Sequence, residues 1–264
     1  MVRNPQNLGN LHPQGQLMRE TYNTWCQQHQ DQLNQPLPVS ETFGPTIQGE
    51  GPYAGHPCYF IRLGGCNLSC TWCDTPYSTG QHGIPLSTIP KTTPNHIIKQ
   101  IPQNTLIILT GGEPLMHHKR PAFEALLHLL KAHGCTIHIE TNGSLLPSEH
   151  IAQHIDHFTI SPKITAPMAN QRHTPTLANW QPYANKTCAK WVTDTTTTDA
   201  DITELITHSQ NAGIHRHNIW IMPEGTTTPQ LQNNWPHIAQ LAAKNNIKAT
   251  HRLHTLAWEN KKGH

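Results

Sequence analysis

Apolar residues along the chain follow two rhythms. Six short runs each end in Gly, Pro or polar residues: "CYFIRL" (58–63), "TLIILTGG" (105–112), "TIHIETNG" (136–143), "HFTISPK" (157–163), "CAKWVTD" (188–194) and "NIWIMPEG" (218–225). They predict strands. Between them, "PAFEALLHLLKAHG" (121–134), "DITELITHSQNAG" (201–213) and "PHIAQLAAKNN" (236–246) predict helices. In the first of these, Phe123, Leu126, Leu127 and Leu130 share one helical face, and Gly134 supplies a stop. Strand–helix alternation implies crossover connections and a parallel sheet. The expected class is α/β, and about six parallel strands make a partial, TIM-like barrel rather than a closed one. Sheets of this kind carry their chemistry at the C-terminal strand ends. Those ends hold "TGGEP", "ETNG", "SPK" and "MPEG".

Residues 1–38 break this pattern. They are rich in Gln, Asn and Pro, and only "QLMRETYNTWCQQHQ" (16–30) places Met18, Tyr22 and Trp25 at helical spacing. The segment reads either as a short helix docked on the body or as a partly ordered tail. "NQPLPVSE" (34–41) reads as an extended linker, because each Pro restricts itself and its predecessor. The expected division is an N-terminal extension, 1–38, and a catalytic domain, 39–264. Residues 76–94 and 170–187 are expected to be loops.

Composition narrows the classes. Charged residues make up 13% of the 264-residue chain and the net charge is +2 with His neutral. No clustered Lys/Arg footprint suggests a nucleic-acid partner. No run approaches the roughly 18 consecutive apolar residues of a membrane span. The first residues lack the apolar core of a secretory signal, and seven cysteines is an odd number. A reducing cytoplasm is therefore the expected location, without a disulfide framework. The 21 histidines, spread along the chain, read mostly as solvated polar residues.

Three of the cysteines are concentrated in "GGCNLSCTWCDTPYS" (64–78) as Cys66, Cys70 and Cys73. A structural zinc site wants four ligands, and the C-x3-C-x2-C spacing has no second pair nearby. His82 is one possible fourth ligand among many histidines. A four-iron cluster normally takes four thiolates, so three leave one iron open to a ligand from outside the protein. Cys26, Cys58, Cys135 and Cys188 read as small buried hydrophobes.

This spacing, with Trp72 before the last cysteine and the glycine-rich "TGGEP" (110–114) after an apolar strand, resembles the signature of radical S-adenosylmethionine enzymes. More narrowly, "ETFGPTIQGEGPYAGHPCYFIRLGGCNLSCTWCDTPYS" (41–78) resembles the 7-carboxy-7-deazaguanine synthase family through "QGEG", "RL-GC" and "WCDT", with "SPK" at 161–163 agreeing. The resemblance runs from about Glu41 to the chain end, more loosely over "HRLHTLAWENKKG" (251–263).

The resemblance implies a radical S-adenosylmethionine core and a ring contraction. 6-Carboxy-5,6,7,8-tetrahydropterin would become 7-carboxy-7-deazaguanine with loss of ammonia, in 7-deazapurine (queuosine-type) biosynthesis. It implies a [4Fe-4S] cluster on Cys66, Cys70 and Cys73, with S-adenosylmethionine on the open iron and regenerated after turnover. It also implies Mg2+ on Thr75. Ile47, Gln48, Gly49, Arg62 and Thr110 would bind the pterin, and Trp72, Gly112, Ser161, Pro162 and Lys163 the S-adenosylmethionine. A one-electron donor such as flavodoxin or ferredoxin, and a homodimer, complete the expectation. Glu50 is either a substrate ligand or a capping carboxylate, Asp74 either supports the metal or caps a turn, and Glu140 and Met222–Gly225 are candidate lining. The competing readings are a glycyl-radical-activating enzyme, against which "QGEG" and "CDT" argue, and a non-enzymatic metal-binding module.

Overall fold

The computed structural model describes residues 13–80, 84–163, 177–259 and 261–263; His82 lies outside them. All six anticipated strands are present: β2 (Pro57–Leu63), β4 (Leu106–Gly111), β5 (Thr136–Thr141), β6 (His157–Ile160), β7 (Thr187–Thr193) and β8 (Ile219–Pro223). Before them, β1 (Leu37–Ile47) runs antiparallel to β2 and also pairs with the two-residue β3 (Lys91–Thr92). At the far edge, the short β9 (Lys248–Ala249) is parallel to β8. The order is β3-β1-β2-β4-β5-β6-β7-β8-β9, and every pair from β2 onward is parallel. The helices are α1 (Pro13–Gln28), α2 (Gln30–Leu33), α3 (Pro94–Ile97), α4 (Pro121–Ala132), α5 (Glu149–Ala152), α6 (Asp199–Asn211), α7 (Thr228–Lys244) and α8 (Leu253–Trp258).

Strand period two sorts the side chains by face. Ile61, Leu63, Ile107, Leu109, Ile137, Ile139, Phe158, Ile160, Ala189, Trp191, Ile219 and Ile221 form one core with α4, α6 and α7. Their alternates, among them Arg62, Thr110, Glu140, Lys190 and Met222, turn to the concave side and line a cavity. The four leucine and phenylalanine positions anticipated on α4 are fully buried. The two edges of the sheet do not pair with each other. Instead the turn after β1 meets the segment after β9: Gly51 N–H donates to Thr250 Oγ1 (2.9 Å) and Leu253 N–H to the Gly49 carbonyl (3.0 Å). The barrel is incomplete in strands and spanned by a turn.

Three local expectations change. The "linker" at 34–41 is strand from Leu37 onward, because Leu37 and Val39 are buried in the core and pair with β3 and β2. The described part of the extension is helical and docked: Cys26 and Leu33 bury themselves against Ala125 of α4, with Trp25, Leu129 and Ala132 around them. Tyr22 and Trp25 face the body as their spacing suggests, but Met18 is 64% exposed and Cys26 takes its place. The third helix starts at Thr228, eight residues before Pro236, because Thr227 and Gln230 cap it: Thr227 N–H donates to Gln230 Oε1. Pro236 is accommodated inside it.

Leu33 is 1% exposed at the junction of the extension and α4. Leu33→Ala is expected to destabilise the protein by about 2 kcal/mol or more, read from chemical denaturation of the cluster-loaded chain. A loss indistinguishable from zero would mean that α1 and α2 lie outside the cooperative unit.

Candidate active site

The cavity encloses about 440 Å³ at the C-terminal ends of the parallel strands. Twelve of the fourteen residues singled out in the sequence line it: Ile47, Gln48, Arg62, Cys66, Cys70, Trp72, Cys73, Thr75, Thr110, Gly112, Ser161 and Lys163. Gly49 and Pro162 stand behind the wall. Gly49 is held against the ring of His254, where a Cβ would fall 1.9 Å from Nδ1.

The cysteine loop follows β2. Cys66, Cys70 and Cys73 pack together with Leu68 and Trp72, and none is in a disulfide. Burial pushes the Cys66 thiol up to about 12, and Glu113, Cys70 and Cys73 add to the shift. Cys70 and Cys73 are raised too, also by burial first. Three crowded buried thiolates repel one another unless a cationic group sits among them. The donor set therefore fits a thiolate-ligated iron cluster with one iron unserved by protein, and among the described residues no fourth cysteine lines the cavity.

Two glycines let the loop lie where it does. Gly112 N–H donates to the Leu63 carbonyl (3.1 Å) and Glu113 N–H to the Gly65 carbonyl (2.7 Å). A Cβ at Gly111 or Gly112 would fall 2.0 Å from Leu63 O or Gly65 O respectively. The "GGEP" glycines thus clear space first for the cysteine loop's own backbone. The buried Glu113 then braces two strand ends: it accepts from Leu115 N–H (2.9 Å), Thr141 Oγ1 (2.8 Å) and Asn142 N–H (2.7 Å). Glu113 is a residue whose role sequence reasoning left blank.

Around this loop lies a network of buried charge. Glu50 pairs with Lys190, with Arg252 (Nε to Oε1, 2.9 Å) and more distantly with His254 (3.9 Å). Burial alone would push its carboxyl up, but Lys190, Arg252 and His254 reverse that and hold it well below the usual range. Glu50 makes no capping bond with its side chain, which removes the capping alternative. Arg252 also donates to Asp74 Oδ2 (2.6 Å) and to the Gly225 carbonyl (2.7 Å). One guanidinium therefore fastens "QGEG", "CDT" and "MPEG" together. Asp74 is accordingly a partner of Arg252 rather than a simple turn cap, and burial notwithstanding, Arg252 holds its carboxyl below the ordinary range.

The remaining walls are polar. Glu140 accepts from Gln48 Nε2 (3.1 Å) and Thr110 Oγ1 (3.2 Å), with Lys190 at 3.8 Å. The main-chain groups of Gln48 are used by His56 and Gly55, and the Gly49 carbonyl by Leu253; the Gln48 side chain is what faces the cavity. Arg62 Nε donates to Glu41 Oε1 (2.6 Å), which also accepts from Tyr77 (2.8 Å). That anchor uses one edge of the guanidinium and leaves its terminal nitrogens toward the cavity. Lys163 donates to Ser161 Oγ (2.8 Å) and lies 5.2 Å from the Trp72 ring centre. Burial pushes the Lys163 ammonium down. Thr75 Oγ1 makes one loose contact, 3.9 Å from Cys73 Sγ. Met222, Glu224 and Gly225 also line the space.

Sequence reasoning missed Lys190, Arg252, His254 and Glu41. Lys190 had a readable signal, a lysine at an alternate position inside an apolar strand, as Arg62 has in β2. Arg252 had none, since its partners lie on three remote segments.

The radical SAM superfamily model matches residues 60–229. The 7-carboxy-7-deazaguanine synthase of Hyperthermus butylicus is 31% identical over 233 residues, 85% of this chain and 94% of that protein. That of Pyrobaculum aerophilum is 27% identical over 233 residues, 85% and 96% of the two chains. The crystal structure of QueE from Escherichia coli shares the fold, with a TM-score of 0.60 over 88% of this chain and 98% of that one at 22% identity.

Glu50→Gln strands Lys190 and Arg252 without their shared anion. A loss of about 3–5 kcal/mol is expected at pH 7. Because the folded-state carboxyl titrates below an ordinary glutamate, its contribution is full at neutral pH and declines as pH falls below about 4. The gap between wild type and variant, measured by urea denaturation across pH, should therefore narrow toward acid. A gap that is constant or widens there contradicts the ion-pair account.

Proposed function

The chain belongs to the 7-carboxy-7-deazaguanine synthase family of the radical S-adenosylmethionine superfamily, and from that premise we infer that its cavity converts 6-carboxy-5,6,7,8-tetrahydropterin to 7-carboxy-7-deazaguanine with release of ammonia. One observation carries the reading. A single cavity gathers the cysteine triad, Trp72, Gly112, Ser161 and Lys163 together with Gln48, Arg62 and Thr110.

Cys66, Cys70 and Cys73 would hold the [4Fe-4S] cluster, and Gly112, Ser161, Lys163 and Trp72 would bind S-adenosylmethionine. When bound, the two together supply reversible hydrogen-atom abstraction from the substrate. The protein's part is to bind, orient and exclude water. Arg62, held through Nε by Glu41, offers its outer nitrogens to the pterin carboxylate. Gln48, Thr110 and Glu140 form a strip of donors and acceptors for the polar edge of the heterocycle. Arg252 and Glu50 fix the three loops that meet at the cavity. Rigidity there matters because a displacement of about 1 Å can cost on the order of 100-fold in rate.

Thr75 would hold Mg2+: its hydroxyl is an oxygen donor of the kind the ion prefers, and such ions usually keep waters and substrate oxygens as further ligands. Asp74, engaged by Arg252, fixes the backbone just before it. The family supports a homodimer and a one-electron donor such as flavodoxin or ferredoxin, and a cytoplasmic setting. Among the described residues no helix is long and apolar enough to cross a membrane.

Anaerobic incubation of the cluster-loaded protein with 6-carboxytetrahydropterin, S-adenosylmethionine, reductant and Mg2+ should yield 7-carboxy-7-deazaguanine by mass analysis. Replacing Cys66, Cys70 or Cys73 with Ala should remove cluster and product together. Consumption of S-adenosylmethionine with no deazapurine formed would defeat the reading.

Thr75→Ala should keep iron content and S-adenosylmethionine binding, raise the Mg2+ demand and slow turnover by about 100-fold or less. Wild-type Mg2+ dependence in that variant would mean the hydroxyl is not the ligand.

A further inference from the structure

One cluster of side chains has no place in this chemistry. His128 on α4, His150 on α5 and His154 just beyond it bring three imidazoles together on the outer face of the barrel, a ring nitrogen of each within 4.8 Å of the others. None of them lines the cavity. Most of the described histidines are at least partly exposed, in line with the sequence reading; His128 and His154 are buried, as are His117 and His138.

Three observations give the cluster a ligand-binding character. First, His128 is 6% exposed, and neither of its ring nitrogens makes a hydrogen bond; the nearest carboxylate oxygen, Glu124 Oε1, stands 3.7 Å from its Nε2. His117, His118 and His138 each leave only one buried nitrogen without a hydrogen bond. A buried imidazole without hydrogen bonds is costly unless something else takes its lone pair.

Second, the hydrogen bonds of the other two rings sort their nitrogens. Glu124 Oε1 lies 2.6 Å from His150 Nε2. A carboxylate accepts only, so that nitrogen carries the proton and Nδ1 the lone pair. Gln153 Nε2 sits 3.1 Å from His150 Nδ1 and 3.4 Å from His154 Nε2. The same amide donor thus faces two imidazole lone pairs, the position a cation would take. The Tyr22 hydroxyl, 3.1 Å from His154 Nδ1, holds the opposite nitrogen of that ring. Gln153 and His150 are exposed and free to rearrange.

Third, the surroundings are those of a built metal site. A ligating histidine commonly hands its second nitrogen to a carboxylate or another polar group that fixes the ring; Glu124 and Tyr22 stand in those places. Trp25 stacks on His128 at 3.8 Å between ring centres, closing that side to water.

We propose that His128, His150 and His154 form a binding site for a divalent transition cation of the zinc class, with Glu124 and Tyr22 orienting two of the rings from behind. Imidazole nitrogen suits zinc, copper and nickel rather than Mg2+. Three histidines leave a fourth position for water. The ring nitrogens stand wider apart than in a closed site, where each lies about 2 Å from the metal, so the exposed His150 swings inward and displaces Gln153. The cation joins α4 to α5 and, through Tyr22 and Trp25, firms the docking of α1. Its role is structural and independent of the reaction assigned to the cavity.

The test uses full-length, cluster-loaded protein, so that the cysteines are already occupied. Zn2+ is titrated against a competing chelator, and Co2+ serves as a spectroscopic substitute. Wild type should bind one more equivalent of Zn2+ than His150→Ala, a substitution at an exposed position. Glu124→Gln should weaken binding by about 10–100-fold. Zn2+ should raise the thermal midpoint of wild type and leave that of His150→Ala unmoved. Co2+ should give ligand-field bands of nitrogen and oxygen coordination without a thiolate charge-transfer band. Equal Zn2+ stoichiometry and affinity in wild type and His150→Ala would overturn the proposal and leave the cluster as aromatic packing alone. A thiolate charge-transfer band as the only Co2+ signal would overturn it as well.

Discussion

The buried carboxylate of Glu50 is the constraint on which the active site rests. Removing a charge from water is expensive, and only close counter-charges make it tolerable. Lys190 and Arg252 provide them from two different elements, one in the middle of β7 and one after β9. Arg252 then reaches Asp74 and the Gly225 carbonyl. Because no member of this group can be left unpaired, the turn after β1, the end of the cysteine loop and the segment after β8 have to meet. The net contribution to stability of such a network can be small; its effect is to allow one arrangement of loops and penalise others.

That arrangement is possible because the barrel is unfinished. A closed barrel of this diameter fills its interior with side chains. Here the two sheet edges stay apart and a turn spans them, leaving a 440 Å³ cavity. The inward positions can then be polar. Thr110, Glu140 and Gln48 satisfy one another, and Arg62 is held by Glu41, so the wall is preorganised before any ligand enters. The glycine pair at 111 and 112 serves the same end from the other side. It lets the cysteine loop press against the end of β4 with main-chain hydrogen bonds in place of side-chain contacts.

The outside of the barrel has its own second layer. A surface helix ordinarily keeps one face polar, yet α4 buries Phe123, Leu126 and Leu127 toward the sheet and Ala125 on its other side. The N-terminal helices cover that second face. The histidine cluster sits at the same seam, between α1, α4 and α5. The described part of the extension is thus part of the packing of the domain, although none of its described residues lines the cavity.

Much of this was legible in one dimension. Strand and helix periodicity located all six central strands, because each has to present alternate apolar residues to a helix layer, and that requirement is local. The cysteine spacing and the "QGEG", "CDT" and "SPK" segments located most of the cavity lining, because a binding loop carries its ligands within a few residues. What only the tertiary structure decided is how distant charges pair. Nothing in "HRLH" marks Arg252 as the bolt through three loops, and nothing in the spacing of His128, His150 and His154 reveals that two helices bring them side by side. Pairwise electrostatics and metal-type clusters depend on separation in space, and the fold alone converts separation along the chain into distance.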